Sequence, residues 1–451
     1  MKITLTLAAA AKLLNCPEPS ENGTITGAAI DSRQVKQGDV FIAISGEKVD
    51  GHNYIAAARK AGASLALVSQ RQDDELPQLV VDDVIAAFGQ LATVWRDQSR
   101  CKVIAVTGSN GKTTVKEMLA AILSQSHKVI ATAGNFNNNL GVPLTLFRLQ
   151  SETDYAVIEM GANHLGEIAG LVKLAKPNVA LINNVGAAHI EGFGSLAGVA
   201  TAKGEIFSHL PEDGVGIVNA DMPYVKQWQQ IIQPQKMKTF GMEAEADVQA
   251  TDCQSHVTAS HFMAKCDDVF HYINLPLPGK HNIANALAAI TVCKALSISL
   301  EDIESGLAVM KGVPHRLQLR QGKGKSTLID DSYNANPDSY EQAIATLKTF
   351  PGEHWLVLGD FGELGEETKT IHSNLGQQAK AAGITRLFTV GQDSELASSA
   401  YGQGAQHFND IAELQKQLEA TLAEEVTCLI KGSRFMNLDK LADGLAMEGK
   451  S

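Results

Sequence analysis

Several features are missing from this 451-residue sequence, and each absence excludes a class of protein. The formal net charge is −12, with 38 Lys and Arg against 50 Asp and Glu, which argues against a nucleic-acid partner. No stretch reaches about 18 uninterrupted apolar residues, so no membrane insertion is expected. The six cysteines include no C-x-x-C pair, a pattern typical of reduced thiols in a cytoplasmic protein rather than of disulfides or zinc.

The length indicates several hydrophobic cores, and we predict three domains at residues 1–83, 84–313 and 314–451. The first domain mixes short strands and helices. Its opening stretch, "MKITLTLAAAAKLLN", superficially resembles a signal peptide. Lys12 and Asn15 interrupt the apolar run, however, and an amphipathic first helix explains the pattern equally well.

The rest of the chain alternates apolar runs of strand length with helical periodicity. In the second domain the runs are "KVIAVTG", "YAVIEMGA", "VALINNV" and "GVGIVNAD". After "KGVPHRLQ" the alternation restarts with "TLIDDSY", "HWLVLGD", "RLFTVG" and "VTCLIKGS". Such runs predict an α/β fold with a central parallel sheet buried on both faces and a C-terminal Rossmann-like domain. The latter lacks G-x-G-x-x-G, so no dinucleotide site is expected there.

One loop carries the strongest chemical signal. "VTGSNGKTT" follows an apolar strand and opens a helical pattern, as a phosphate-binding loop does. The rule G-x-x-x-x-G-K-[ST] is broken, because Val106 stands where the first glycine belongs. Glycine still lets the backbone amides turn towards phosphate oxygens. The predicted nucleotide-phosphate contacts are Gly108, Ser109, Asn110, Gly111, Lys112, Thr113 and Thr114.

Two further residues follow predicted parallel strands, at the edge of the sheet where ligands bind. Glu159 ends "YAVIE", and His189 lies just beyond "VALINN". With the Thr113 hydroxyl they predict a Mg²⁺ site, although histidine is an unusual magnesium ligand. Lys203, in "VATAKGEIF", cannot be distinguished from a solvated helix lysine by pattern alone.

Six segments, in this order, resemble the Mur ligase family. They are "TGSNGKTT", "EMGANHLGEI", "NNVGAAHIEGFGS", "KGEIF", "LPGKHNIANALAA" and "DDSYNANPDS". Members of that family use ATP to form amide bonds on the peptidoglycan precursor. The shortened T-G-x-x-G-K-T loop is the family's form of the phosphate cradle, and the resemblance covers all three domains.

The resemblance also indicates which substrate within the family is expected. The segment from residue 31 to 63 resembles the uridine-diphosphate-binding domain of the members that add the third residue or the terminal dipeptide. The D-N-P-R segment typical of the diamino-acid-adding member is absent, whereas "GNFNNNLGVPLTL", "GDFGELG" and "KGSR" resemble the dipeptide-adding member. The implied reaction adds D-alanyl-D-alanine to UDP-N-acetylmuramoyl-tripeptide through an acyl phosphate, in a monomer whose domains close on the substrates. Addition of a single diamino acid is the alternative, and a P-loop regulator or motor is a second.

The resemblance further implies roles for individual residues. Glu159 and His189 would help to hold Mg²⁺, and Lys203 matches a lysine that CO₂ carbamylates. The implied ATP contacts outside the loop are Asn282, Asn285, Arg316 and Asp331. The implied contacts with the UDP-substrate or the dipeptide are Ser32, Arg33, Asn137, Asn138, Asn334, Asn336, Lys431, Ser433 and Arg434.

The chain departs from the family pattern at two places. His315 stands where glycine is expected in many relatives, so the family pattern does not predict the conformation of the local turn. Phe361 and Gly362, in "GDFGELG", stand where hydrophobic residues such as Met and Leu are common, which puts individual dipeptide contacts in doubt.

Overall fold

The computed structural model describes residues 2–187, 190–232, 236–267 and 269–447. In the N-terminal part, β1 (Leu5–Thr6) pairs with β2 (Thr24–Ile25) around α1 (Leu7–Leu13). A separate parallel sheet follows, in the order β3 (Gly27–Ala29), β4 (Asp39–Ile42), β5 (Leu65–Val68) and β6 (Gln78–Val80). Helix α2 (Ile55–Ala61) ends at Gly62, as its sequence predicts, because φ is 102° there.

The central part begins with α3 (Val84–Asp97), which Asp83 caps. Its remaining elements are β7 (Lys102–Thr107), α4 (Lys112–Leu123), β8 (Val129–Ala131), α5 (Gly141–Leu146), β9 (Tyr155–Glu159), α6 (Glu167–Ala175), β10 (Val179–Ile182), α7 (Ile190–Phe193), α8 (Leu196–Gly204), β11 (Val215–Asn219), α9 (Val225–Ile232), β12 (Lys236–Gly241), β13 (Val248–Ser255), β14 (Ser260–Cys266), β15 (Val269–Leu275), α10 (Lys280–Ala295) and α11 (Leu300–Ala308).

Within the described residues, nine central strands form one sheet in the order β15-β14-β13-β12-β11-β10-β7-β9-β8. Strand β7 lies between β10 and β9 and runs parallel to both. Both faces of β7 are covered: Val103 and Ala105 pack into one hydrophobic core, and Ile104 and Val106 into the other. This double burial explains the continuous apolar runs that predicted a parallel sheet.

The sheet is not parallel throughout, which corrects the sequence-based description. Strands β13, β14 and β15 form an antiparallel extension at one edge. Their burial alternates along the chain, as it does for Phe262, Ala264 and Cys266 on β14, because only one face meets the core. The alternating composition of these strands contains no continuous apolar run, and they were not predicted.

The C-terminal part restarts the alternation, as predicted. Its elements are β16 (Gln318–Gln321), β17 (Thr327–Asp331), α12 (Pro337–Leu347), β18 (Glu353–Gly359), α13 (Thr368–Ala381), β19 (Arg386–Val390), α14 (Ser394–Tyr401), β20 (Ala405–Phe408), α15 (Ile411–Thr421), β21 (Val426–Lys431) and α16 (Leu438–Leu445).

Six described strands form the C-terminal sheet in the order β16-β17-β21-β18-β19-β20, with only β16 antiparallel. Helices α12, α13 and α14 cover one face, and α15 and α16 cover the other. The three-part α/β architecture is therefore confirmed, whereas the predicted domain boundaries stay a prediction. All six cysteines are free. Among the described residues, no helix combines the length and apolarity needed to cross a bilayer.

Helix α11 packs closely on the back of α4, and this contact generates a stability prediction. A Cβ at Gly306 would lie 2.3 Å from the Ile122 Cα, which the helix backbone cannot accommodate without moving. We expect Gly306→Ala to destabilise the protein by about 1–3 kcal/mol, as overpacking does, and to lower the midpoint of thermal unfolding.

The matched control is Gly170→Ala on α6, where a Cβ meets nothing within 4 Å. There alanine should be neutral or stabilising by up to about 1 kcal/mol through its helix propensity. Equal midpoints for the two variants, measured by calorimetry, would contradict the close α4–α11 contact.

Candidate active site

The phosphate loop connects β7 to α4, and the segment that follows β10 holds it in place. The Asn110 amide nitrogen donates to Asn184 Oδ1 at 2.8 Å. The Asn110 carbonyl accepts from the side-chain nitrogens of Asn183 and Asn184, both at 3.0 Å. Ser109 Oγ donates to the Gly186 carbonyl at 3.1 Å. The loop is therefore fixed by the segment that follows β10, the neighbour of β7 in the sheet.

Gly111 needs to be glycine for two reasons. Its φ of 76° lies in the left-handed region, and it is the N-cap of α4. A Cβ there would also lie 2.4 Å from Asn285 Oδ1. Asn285 in turn accepts from Asn183 at 2.8 Å and donates to Asn282 at 3.3 Å. Asn285, one of the two asparagines expected to contact ATP, thus connects α10 to Asn183, which itself bonds the phosphate loop.

Lys112 begins α4 and curls back over the loop. Its Nζ donates to the Gly108 carbonyl at 2.7 Å, and a weaker bond of 3.4 Å reaches Ser109. Burial lowers the pKa of Lys112, the Glu159 carboxylate opposes this shift, and the charge of Arg316 adds to it. Lys112 is half-buried, and these contacts hold its ammonium against the loop.

Glu159 lies beside the loop, at the end of β9, and is 2% exposed. Thr113 Oγ1 donates to one of its carboxylate oxygens at 2.9 Å, and Asn137 Nδ2 donates to the other at 2.7 Å. A hydroxyl and a carboxylate at one point are the hard oxygen ligands that Mg²⁺ prefers, so these residues fit that ion. His189, predicted for the same site, lies outside the described residues.

Lys203 is buried near the end of α8 and faces the same cavity as Lys112 and Glu159. It is 3% exposed, and no described residue accepts a hydrogen bond from its side-chain nitrogen. Burial, and secondarily the charge of Lys112, hold the pKa of Lys203 well below that of an ordinary lysine. This environment therefore disfavours the charged form of the Lys203 amine.

The opposite wall of the site comes from the C-terminal part. The Arg316 guanidinium lies 4.2 Å from the centre of the Tyr333 ring. The Lys431 ammonium donates to Asp331 Oδ2 and, at 3.2 Å, to the Asn334 carbonyl. Burial raises the pKa of Asp331, and the Lys431 charge opposes this shift. This wall presents buried, paired charges towards the phosphate loop.

The turn around His315 is left-handed, with φ of 61° at His315 and 44° at Leu317. Glycine would adopt this backbone more readily. Here His315 Nδ1 lies 2.9 Å from Asp330 Oδ2, which also accepts from Arg320 at 3.0 Å. Because Arg320 further bonds Asp443 at 2.7 Å, this cluster of side chains is an ion-pair network.

A cavity of about 1640 Å³ joins the two walls. Predicted site residues that line it are Ser109, Asn110, Gly111, Lys112, Thr114, Asn137, Asn138, Glu159, Lys203, Asn282, Asn285, Arg316, Asp331, Asn334, Asn336, Lys431 and Arg434. The structure brings them together, while their individual roles stay predictions. Asn183, Asn184 and Asp338 also line the cavity and were not predicted, although all three stand in segments that resemble the family.

Other predicted residues do not line this cavity. Arg33 is exposed and pairs with Asp31 at 2.7 Å, next to Ser32 in the N-terminal part. Ser433 Oγ accepts from the Gly362 amide at 2.9 Å. Phe361 is buried against the rings of Tyr340 and His372. Gly108 and Thr113 do not line the cavity either. The Gly108 carbonyl accepts from Lys112, and the Thr113 hydroxyl donates to Glu159.

Comparison with known proteins agrees with this geometry. Three family descriptions match: "Mur ligase family, catalytic domain" over residues 24–109, "Mur ligase middle domain" over 106–293, and "Mur ligase, glutamate ligase domain" over 315–434. The UDP-N-acetylmuramoyl-tripeptide–D-alanyl-D-alanine ligase of Escherichia coli K12 is 46% identical over 99% of both chains.

Solved structures give the same result. A crystal structure of MurF from Acinetobacter baumannii is 36% identical, with a TM-score of 0.89 over 98% of both chains. MurF ligase from Thermotoga maritima in complex with ADP is 28% identical, with a TM-score of 0.82 over 93% of this chain and 96% of that one. Because the three family descriptions together span residues 24–434 and the identity to a relative reaches 46% over essentially the whole length, the chain belongs to the Mur ligase family.

Proposed function

We propose that this protein is an ATP-dependent ligase that joins D-alanyl-D-alanine to UDP-N-acetylmuramoyl-tripeptide. The product is the pentapeptide precursor of peptidoglycan. The observation that carries the choice of acceptor is the 46% identity, over essentially the whole chain, to an enzyme named for this reaction. The class of chemistry rests on the site itself, where a phosphate loop faces a second domain across one cavity.

The reaction proceeds in two displacements. The terminal carboxylate of the tripeptide attacks the γ-phosphorus of ATP, which forms an acyl phosphate and releases ADP. The amine of the dipeptide then attacks the acyl carbon, and inorganic phosphate leaves as the amine loses a proton. Positioning and charge neutralisation suffice for such steps. The amides of the loop and the Lys112 ammonium bind phosphate oxygens, and Arg316 approaches from the other wall.

Mg²⁺ fits beside the loop, where Thr113, Glu159, His189 and a modified Lys203 would hold it. When bound, it supplies positive charge that offsets the repulsion between the carboxylate and the phosphates. Asn137 fixes the orientation of the Glu159 carboxylate through its 2.7 Å hydrogen bond. The Thr113 hydroxyl already lies against the other carboxylate oxygen.

The Lys203 side chain is proposed to carry a carbamate. A neutral amine attacks CO₂, forms the nitrogen–carbon bond and releases a proton, which leaves an anion in place of the neutral amine. Burial lowers the pKa of Lys203, which raises the share of neutral amine available to react with CO₂. The nearby Lys112 charge disfavours an ammonium at Lys203, and for the same reason it favours a carbamate there.

The remaining ligand contacts stay proposals. Ser32 and Arg33 would bind the uridine diphosphate end, and the exposure of Arg33 leaves its guanidinium accessible. Asn138 already accepts from the Gly141 amide at 3.0 Å, so part of its role is to support α5. Asn334, Lys431 and Arg434 would contact ATP or the dipeptide from the C-terminal wall. A cytoplasmic location and a monomeric state, expected from the sequence and the family resemblance, likewise stay predictions.

The acceptor can be tested directly by following ADP release. With ATP, Mg²⁺ and UDP-N-acetylmuramoyl-tripeptide, we expect turnover when D-alanyl-D-alanine is added and none with a free diamino acid, because the relatives add the dipeptide. Both tripeptides, with diaminopimelate or lysine at the third position, should be tried.

Two outcomes would contradict this proposal. Turnover of the dipeptide precursor with a diamino acid would assign the preceding step of the pathway. ATP hydrolysis that ignores both substrates would favour the P-loop regulator or motor.

The carbamate makes a second prediction. Lys203→Ala should lower kcat by roughly 100-fold or more, since a charged group is lost from a buried site. Acetate or propionate should restore part of the activity, because each supplies a carboxylate. Wild-type activity should fall in CO₂-depleted buffer and return with bicarbonate. This dependence should steepen as the pH falls, because protonation of the amine removes the nucleophile.

The matched control is Lys226→Ala, an exposed lysine on the neighbouring helix α9. Its activity should equal that of the wild type, with no response to bicarbonate beyond the wild-type response. Intact-mass and NMR measurements with ¹³C-bicarbonate should detect the carbamate in the wild type and not in Lys203→Ala. Full activity of Lys203→Ala without added carboxylate would remove Lys203 from the site.

A further inference from the structure

Helix α12 of the C-terminal part contacts the nucleotide side of the cavity through three polar side chains. Asn336 Nδ2 donates to Asn110 Oδ1 at 2.8 Å. Asp338 Oδ2 accepts from the Ala187 amide at 2.7 Å. Gln342 lies beside the side chain of His281, at the start of α10. One helix thus contacts the phosphate loop, the segment after β10 and the start of α10.

The Asn336 side chain is held in place by its own helix. It is the N-cap of α12, and its Oδ1 accepts from the Ser339 amide at 2.8 Å. The Ser339 hydroxyl completes a capping box with the Asn336 backbone, and Pro337 occupies the first helical position. Since the carbonyl oxygen is committed to the cap, the amide nitrogen is directed outward to Asn110. The reverse bond, from Asn110 Nδ2 to Asn336 Oδ1, is long at 3.5 Å.

The partners on the central side are equally fixed. The Asn110 backbone is bonded at both its nitrogen and its carbonyl by the asparagines that follow β10. Gly186 allows the other contact, because a Cβ there would lie 2.1 Å from Asp338 Oδ2. Ala187, whose amide Asp338 binds, stands two residues before His189. Both contacts therefore join rigid groups rather than flexible surface side chains.

We propose that Asn336 and Asp338 form a clasp that docks the C-terminal domain onto the phosphate loop, and that both act as positioning residues for ligation. The clasp sets the distance between the wall of Arg316 and Lys431 and the phosphates. The position of the acceptor-binding domain is thereby fixed relative to the loop itself. The proposal rests on the proposed function, because the reaction requires both walls at once.

A double-mutant cycle tests the Asn110–Asn336 contact. Asn336→Ser keeps a capping oxygen for Ser339 and removes the amide that reaches Asn110, and Asn110→Ala removes the partner. We expect each variant to lower kcat for ligation about tenfold, which corresponds to one hydrogen bond. The double variant should be no slower than the slower single variant, because both remove the same contact. Multiplying effects would overturn the clasp.

Asp338 is tested by a conservative pair. Asp338→Ala should lower kcat about tenfold, because the Ala187 amide loses its acceptor. Asp338→Asn should stay within about twofold of the wild type, because its carbonyl oxygen still accepts that hydrogen bond. Asp410→Ala is the control: it removes the cap of α15 in the same domain, away from the cavity. It should lower the midpoint of thermal unfolding and leave kcat unchanged. Equal losses in Asp338→Asn and Asp338→Ala would overturn the hydrogen-bond role.

A physical readout accompanies the kinetics. With ATP analogue, Mg²⁺ and tripeptide substrate, small-angle scattering should give a larger radius of gyration for Asn336→Ser and Asp338→Ala than for the wild type. Identical radii for all three would contradict the clasp. The wild-type reaction with D-alanyl-D-alanine is run alongside. Absence of ligation there would refute the proposed function, whereas wild-type ligation with multiplying mutational effects would refute only the clasp.

Discussion

The hydrogen bonds that hold the Asn110 backbone are the constraint on which the rest of the site depends. A glycine-containing loop has many accessible conformations, and binding an anion through its amides requires that most of them be excluded beforehand. The asparagine side chains after β10 offer both a donor and an acceptor to the Asn110 backbone, as a neighbouring strand would. The loop conformation is therefore set by the neighbouring strand before any ligand arrives.

Around this loop the protein buries charges of both signs and compensates each differently. The Glu159 carboxylate is stabilised by hydrogen bonds from two uncharged donors. Asp331 and Lys431 pair directly across two adjacent parallel strands. Lys112 bonds backbone carbonyls, whereas Lys203 has no acceptor among the described residues. Uncompensated burial of a charge is expensive, so an amine in the position of Lys203 is driven towards its neutral form.

The sequence predicted those parts of the fold that have a simple burial pattern. Strand β7 and its neighbours, buried on both faces, appear as continuous apolar runs, and the loop that follows β7 was found with them. Strands β13 to β15 were missed because one-sided burial gives alternating residues that resemble polar loop sequence. The roles of Asn183 and Asn184 could not be predicted, because a side chain that replaces a backbone partner has no periodic signature. The contact of Asp338 depends on how two domains meet, which no local pattern encodes.

The order of strands in the central sheet has a consequence for how this protein tolerates sequence change. Within this sheet, the phosphate loop, Glu159 and the asparagines that hold the loop stand at the ends of β7 and its two immediate neighbours, β9 and β10. The antiparallel extension begins four strand positions from β7, about 19 Å away at the usual spacing. Substitutions on the exposed face of that margin should therefore disturb the register of the three central strands less than changes within those strands. The sheet thus joins a centre that positions the phosphate loop to an edge whose strands carry none of the predicted site residues, within one continuous hydrogen-bonded structure.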